Sequence, residues 1–328
     1  MLFLYIVIGL VLLFDFINGF HDSANSIATV VSTKVLSPFA AVSMAAFFNF
    51  IAFTVFPLKV ATTIGKGVIN PDVINLTVIA SALIAAILWN LATWWLGLPS
   101  SSSHTLVGGL VGAAIASSGI ESVVFAGVIK IVLFIVIAPL LGMILSFIIS
   151  AAVIFLARNH TPFGVDKHFR RLQLLSAAAF SLGHGGNDAQ KSMGIIWVSL
   201  IVTGLATKDD KIALWIVLSC QAAISLGTLL GGWRIVKTMG QRITKLKPFE
   251  GFCAETAGAL TLFGATHFGI PVSTTHTITG AIIGVGARKG ASAVKWGVTR
   301  KIFWAWILTI PVSAVIGAIM FYFFNWIL

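Results

Sequence analysis

Two aspartates, Asp22 and Asp188, stand inside apolar stretches, each within a short polar motif: Asn18-Gly-Phe-His-Asp22-Ser-Ala-Asn25-Ser26 and His184-Gly-Gly-Asn-Asp188-Ala-Gln190-Lys191-Ser192. A charge at the centre of a bilayer costs about 2.5 kcal/mol or more, so such residues line a pathway or hold a cation. Asn25, Asn187 and Gln190 add neutral amide oxygens, and Gly19, Gly183, Gly185 and Gly186 would let the backbone unwind and expose carbonyls. Oxygen-only ligands suit a hard cation such as Na+, with Asp22, Asn25, Asn187 and Asp188 as the candidate set; a protonatable aspartate suits H+ coupling. The plainer alternative is a pair of buried aspartates bonded to helix ends. Lys191 occupies the slot that matches Asn25, so the two motifs are not chemically equivalent. It can attract an anion or pair with Asp188. Asp15, two turns before Asp22, is expected on the same polar face.

A second pair of motifs carries hydroxyls. Pro99-Ser-Ser-Ser-Ser-His104-Thr-Leu-Val-Gly108 and Pro271-Val-Ser-Thr-Thr-His276-Thr-Ile-Thr-Gly280 are related by an offset of 172 residues, and the aspartate motifs by 166. Proline starts a helix well and Ser or Thr caps it. Each motif is therefore expected to begin a helix whose free N–H groups and hydroxyls form an anion site at the positive helix end. Ser102, Ser103 and Thr105 on one side, and Ser273, Thr274 and Thr275 on the other, are the candidate oxyanion contacts, with Asn25 and Gln190 donating amide hydrogens. Hydroxyls that only bond neighbouring helices are the competing reading. His104 and His276 are expected to orient the tips by hydrogen bonding.

The elements that position these groups follow from composition. Hydrophobic residues make up 58% and charged residues 9% of 328 residues, and the mean hydropathy is +1.02. A soluble chain needs more charge than this to cover its surface. Apolar runs of the ~20 residues that span a bilayer recur, as in 122–157 and 302–328, so an all-α integral membrane protein is expected. The run 1–14 lacks a basic start and reads as the first membrane element. The net charge of +11 does not point to nucleic acid, because 14 of the 21 Lys and Arg residues are bunched at 158–171, 234–247 and 288–301. Such clusters mark cytoplasmic loops of a multi-pass protein in the cell (inner) membrane. Cys220 and Cys253 have no metal-ligand spacing, and the Gly108/Gly112, Gly227/Gly231 and Gly280/Gly284 pairs read as close helix packing.

Both motif pairs occur in the same order, so the chain reads as a duplication: residues 1–157 and 172–328 as repeats, with 158–171 as a basic cytoplasmic linker. With the basic clusters inside, the two halves run in opposite directions, an inverted repeat. Each hydroxyl motif then lies at the tip of a re-entrant-type helical hairpin, and the two tips enter from opposite faces.

At these residues the chain resembles the inorganic phosphate transporter family, the PiT permeases, whose signature is Gly-x-Asn/His-Asp-x-x-Asn in each half. Here it stands as Gly19-Phe-His-Asp22-Ser-Ala-Asn25 and Gly185-Gly-Asn187-Asp188-Ala-Gln190-Lys191, with Lys191 replacing the asparagine of the second copy. The resemblance implies symport of inorganic phosphate with Na+ or H+ by alternating access. Asp22 and Asp188 would be its essential aspartates, and Asn25, Gln190 and the Ser/Thr tips its phosphate or cation contacts. Na+ is the favoured coupling ion and H+ the alternative. A sulfate or other oxyanion permease is the rival within the same class, and a passive anion channel would not need paired buried aspartates. An intramembrane enzyme lacks any Ser/Lys or Ser/His/Asp arrangement of family-like spacing. Lipid surrounds such a chain; a homodimer is compatible with it, although no residue pattern requires one.

Overall fold

The computed structural model describes residues 1–64, 67–207 and 209–327; Leu328, which ends the last apolar run, lies outside them. The described chain is helical, with one isolated β-bridge between Ile69 and Val123. In chain order the helices are α1 (Leu2–Ser32), α2 (Pro38–Ile51), α3 (Lys59–Ile64), α4 (Leu76–Leu96), α5 (Ser102–Ser118) and α6 (Phe125–Ala157). They continue as α7 (Pro162–Val202), α8 (Leu214–Leu230), α9 (Trp233–Lys237), α10 (Pro248–His267), α11 (Thr274–Arg288) and α12 (Trp296–Ile327).

Four of the described helices, α1, α4, α6 and α12, are long and apolar enough to cross a membrane. A fifth span is formed if α8 and the following Trp233–Arg242 segment, bent by 61°, are one broken helix. The bend falls at Gly231, whose φ of +72° is in the left-handed region that favours glycine. The 41 residues of α7 exceed a membrane span because its first turns carry Lys167, Arg170 and Arg171. The basic stretch 158–171 is thus a short loop followed by helix: Thr161 caps α7 by accepting from the Gly164 amide, and Pro162 sits in the first turn.

Both expected hairpins form, α4/α5 and α10/α11, with residues 97–101 and 268–273 at their turns. Glycines set how closely the helices approach. A Cβ on Gly108 or Gly112 of α5 would overlap the backbone of Ile310 or Ala314 in α12, and one on Gly280 or Gly284 of α11 would overlap that of Pro139 or Met143 in α6. The second helix of each hairpin therefore packs on the last helix of the other half of the chain. The interior prolines Pro139 of α6 and Pro311 of α12 stand at the same 172-residue offset as the hydroxyl motifs.

The glycines of the aspartate motifs behave differently from expectation. They do not unwind the backbone: α1 and α7 pass through them without a break. Gly19 instead lets α1 rest on the backbone of Ile224 in α8, and Gly185 lets α7 rest on that of Asn49 in α2. Close approach, rather than exposed carbonyls, is what the missing side chains provide.

Candidate functional site

Helical periodicity assembles the site. Asp15, Asn18, Asp22, Asn25 and Thr29 recur at spacings of three and four along α1, so they share one face, and all are buried. Gln173, His184, Asn187, Asp188 and Lys191 form the matching stripe on α7. The two stripes meet. One carboxylate oxygen each from Asp22 and Asp188 and a ring nitrogen of His184 all lie within 4.8 Å of one another.

The two hydroxyl tips close on this centre. Ser101 caps α5 by accepting from the His104 amide at 3.3 Å, and Ser273 caps α11 by accepting from the His276 amide at 3.2 Å. The prolines do not start the helices: each lies two residues before its cap, and the Pro99 carbonyl accepts from Trp306 Nε1 at 2.9 Å. Positions N1 and N2, Ser102/Ser103 and Thr274/Thr275, are the ones whose amides have no acceptor inside the helix. The tips touch through the His104 and His276 rings, whose centroids are 4.8 Å apart, and His276 stacks on Trp306 at 3.9 Å. Ring contact, rather than the expected orienting hydrogen bond, joins the two histidines.

Hydrogen bonds then run from each aspartate stripe to the tip carried by the other half. Asn25 Nδ2 donates to Thr275 Oγ1 at 2.9 Å and lies 3.3 Å from Thr274 Oγ1. Thr275 donates to Asp22 Oδ2 at 3.4 Å, and within the second half Thr274 donates to Asp188 Oδ2 at 3.1 Å. Across the pseudo-symmetric arrangement, Lys191 Nζ donates to Ser103 Oγ, to Asp188 Oδ1 at 2.5 Å and to the Val272 carbonyl at 3.1 Å. The outer contacts are paired as well: His21 binds Thr93 at 3.0 Å and Asn187 binds Thr266 at 3.0 Å. His21 Nδ1 also holds Asp22 Oδ1 at 2.7 Å. His184 Nε2 stands 3.4 Å from Asp188 Oδ2, an ion-pair distance without hydrogen-bond geometry.

Asp22, Asn25, Asp188, Ser103, Thr274 and Thr275 are thus brought together; Asn187, on the α7 stripe, gives its amide to Thr266 and the Ile270 carbonyl, and Ser102 lies at the same tip as Ser103 with a buried, unpartnered hydroxyl. Three candidates are placed otherwise. Gln190 spends its amide on the backbone of 57–61, accepting from the Val60 and Ala61 amides and donating to Pro57, and also donates to Gly186. It braces the start of α3 and the turn before it, and offers nothing to an anion here. Thr105 donates to the Ser102 carbonyl and lies 3.2 Å from Asn90 Oδ1, turned away from the tip. The Ser273 hydroxyl is consumed as the helix cap. Asp15 shares the polar face but points to Ser192 of α7 at 2.5 Å. Glu255 of α10 gathers Thr29, Gln173 and Ser176 into a separate polar cluster.

Trp306, Thr93 and Thr266 were not legible as site residues. Each is an ordinary residue of an apolar helix, and only the Thr93/Thr266 correspondence near the matching hairpin ends offered a signal. The groups present suit a hard cation: Asn25 Oδ1 and Asn187 Oδ1 are buried and unpartnered, and Asp22 and Asp188 bring carboxylate oxygens within 4.8 Å of each other. The amides and hydroxyls of the tips suit an oxyanion.

Comparison with known proteins agrees with this geometry. The model of the phosphate transporter family matches residues 18–164 and 157–317. A probable low-affinity inorganic phosphate transporter of Rhizobium meliloti is 56% identical over 316 residues, covering 96% of this chain and 95% of the relative. A protein of the same description from Bacillus subtilis is 44% identical over 318 residues, with 96% and 95% covered. Among solved structures, a sodium-dependent phosphate transporter superposes with a TM-score of 0.89 at 28% identity, covering 100% of both chains. Matched by the family model over most of its length and by these relatives over nearly all of it, this multi-pass membrane chain belongs to the phosphate transporter family.

Proposed function

We propose that the protein is a Na+-coupled secondary symporter that imports inorganic phosphate across the cell (inner) membrane by alternating access, with its site between two inverted halves. The observation that carries this reading is the meeting of two opposed helix N-termini on a pair of buried aspartates. Phosphate is placed against the tip amides and the hydroxyls of Ser102, Ser103, Thr274 and Thr275, with Asn25 beside them. Asp22, Asn25, Asn187 and Asp188 supply the oxygens that hold positive charge at this centre. Anion and cation then offset each other's charge in a site sealed from water, so each tightens the binding of the other.

Proteoliposomes given Na+ and H+ gradients separately, with phosphate against sulfate as cargo, test the reading directly. Phosphate uptake that follows the Na+ gradient is expected. Uptake that ignores Na+ and follows an imposed pH gradient overturns the choice of ion, and preferred sulfate uptake overturns the cargo.

Thr275→Val tests the anion contacts. It removes a hydroxyl bonded to both Asn25 and Asp22 while keeping its shape. A lost hydrogen bond to a charged group costs about 1.5–3 kcal/mol, so phosphate affinity in detergent is expected to fall roughly 10- to 150-fold. The melting temperature should barely move. Unchanged phosphate affinity would remove Thr275 from the site.

A further inference from the structure

The two halves of the site differ at one position that matters electrostatically. In the first half Asn25 reaches across to the α11 tip; in the second, the matching position holds Lys191, which reaches across to the α5 tip. Its ammonium is buried, with the residue 3% exposed, and it is held by a carboxylate, a hydroxyl and a backbone carbonyl. Three oxygens match the three N–H donors of an ammonium. They are also the ligand types that a hard alkali cation takes.

We propose that Lys191 is a tethered cation, permanently filling the place that a second coupling ion would otherwise occupy beside Asp188. Of the charged side chains that meet at this centre, Asp15 being turned away to Ser192, Asp22 and Asp188 are negative and Lys191 positive, which leaves one negative charge for a dissolved cation to neutralise. Asn25, by contrast, brings a neutral amide with a buried and unpartnered Oδ1 to the Asp22 side, so that side still needs its ion. The first-half site is the exchangeable one and the second-half site is occupied by the protein itself. One Na+ per phosphate, rather than two, is the consequence. The ammonium also holds Ser103 against Asp188, so the α5 tip is tied to α7 by the same side chain.

This inference rests on the reading of Asp22 and Asp188 as the cation centre. Its test is the equilibrium binding of inorganic phosphate in detergent, with NaCl replaced stepwise by N-methylglucamine chloride at constant ionic strength. Below saturation, wild-type phosphate affinity is expected to rise about tenfold for a tenfold rise in Na+, and that of Lys191→Asn about a hundredfold. The variant should be weaker at low Na+ and recover at high Na+. Its melting temperature should likewise climb with Na+ more steeply than the wild type's. Equal Na+ orders in the two proteins overturn the proposal. So does a loss of phosphate affinity that no Na+ concentration restores, which would make Lys191 an anion ligand. Wild-type binding indifferent to Na+ would instead defeat the cation reading itself; a variant that then gains Na+ dependence upholds the tethered cation, and one that stays indifferent overturns it. If Lys191→Asn is not recovered folded, Lys191→Gln, a neutral amide of greater reach, is read in the same way. Failure of both to fold even in high Na+ counts against the proposal, because Na+ should then have replaced the ammonium.

Discussion

Asp22→Asn is expected to abolish gradient-driven phosphate uptake while the protein inserts, purifies and melts as before. The substitution keeps the size of the side chain, whose one carbonyl oxygen can still accept from His21 while its amide faces the Thr275 hydroxyl, but removes the one carboxylate at this centre that no lysine neutralises. Depriving a buried charge pair of one partner costs about 3–5 kcal/mol, so cation binding should weaken at least ~100-fold. Radiolabelled phosphate uptake into proteoliposomes provides the measurement, and retained uptake under a Na+ gradient would sink the assignment. Asp188→Asn should separate from it. That change strands the buried Lys191 ammonium without its carboxylate, so transport and thermal stability are expected to fall together.

The second large effect concerns packing. Gly112→Ala places a methyl group into the backbone carbonyl of Ala314, and Gly284→Ala places one against the Met143 carbonyl and the Ser146 hydroxyl. Backbone cannot swing aside as a side chain can, so α5 must move off α12, or α11 off α6. Overpacking of this kind costs about 1–3 kcal/mol, and it should also draw the affected hairpin tip away from the aspartates. Both variants are expected to melt well below the wild type in detergent and to bind phosphate more weakly. Gly9→Ala is the control, since a Cβ there meets nothing within 4 Å. If Gly112→Ala melts like the control, the α5–α12 contact is not what positions the tip.

How much of this was legible depends on the range over which each property acts. Hydropathy is a local sum along the chain, so the bilayer environment and the presence of the long helices could be read directly, although their ends could not: α12 begins at Trp296, ahead of the run 302–328. A duplicated motif keeps its spacing, so both hairpins and a helix beginning within each hydroxyl motif were visible in the residue order, but not that Ser101 and Ser273, rather than the prolines, set its start. Burying a carboxylate is costly enough that Asp22 and Asp188 stood out as candidates by residue type alone.

Which partner each polar group takes is a different matter, because it depends on how helix faces meet. Gln190 looked like an anion donor by its place in the motif, yet folding brings the N-terminus of α3 against α7, and its free first-turn amides claim the side chain first. The motif glycines suggested an unwound backbone; neighbouring helices from the other half instead use the gaps to come close, and the helical hydrogen bonds stay intact. Trp306 joins the two tips from a helix with no polar signature of its own. Lys191 was visible as an odd residue in a repeat, but the sequence left its role open between anion and aspartate. Only the packing of α7 against both tips decided that, by setting a carboxylate, a hydroxyl and a carbonyl around one ammonium whose burial leaves it no other source of compensation.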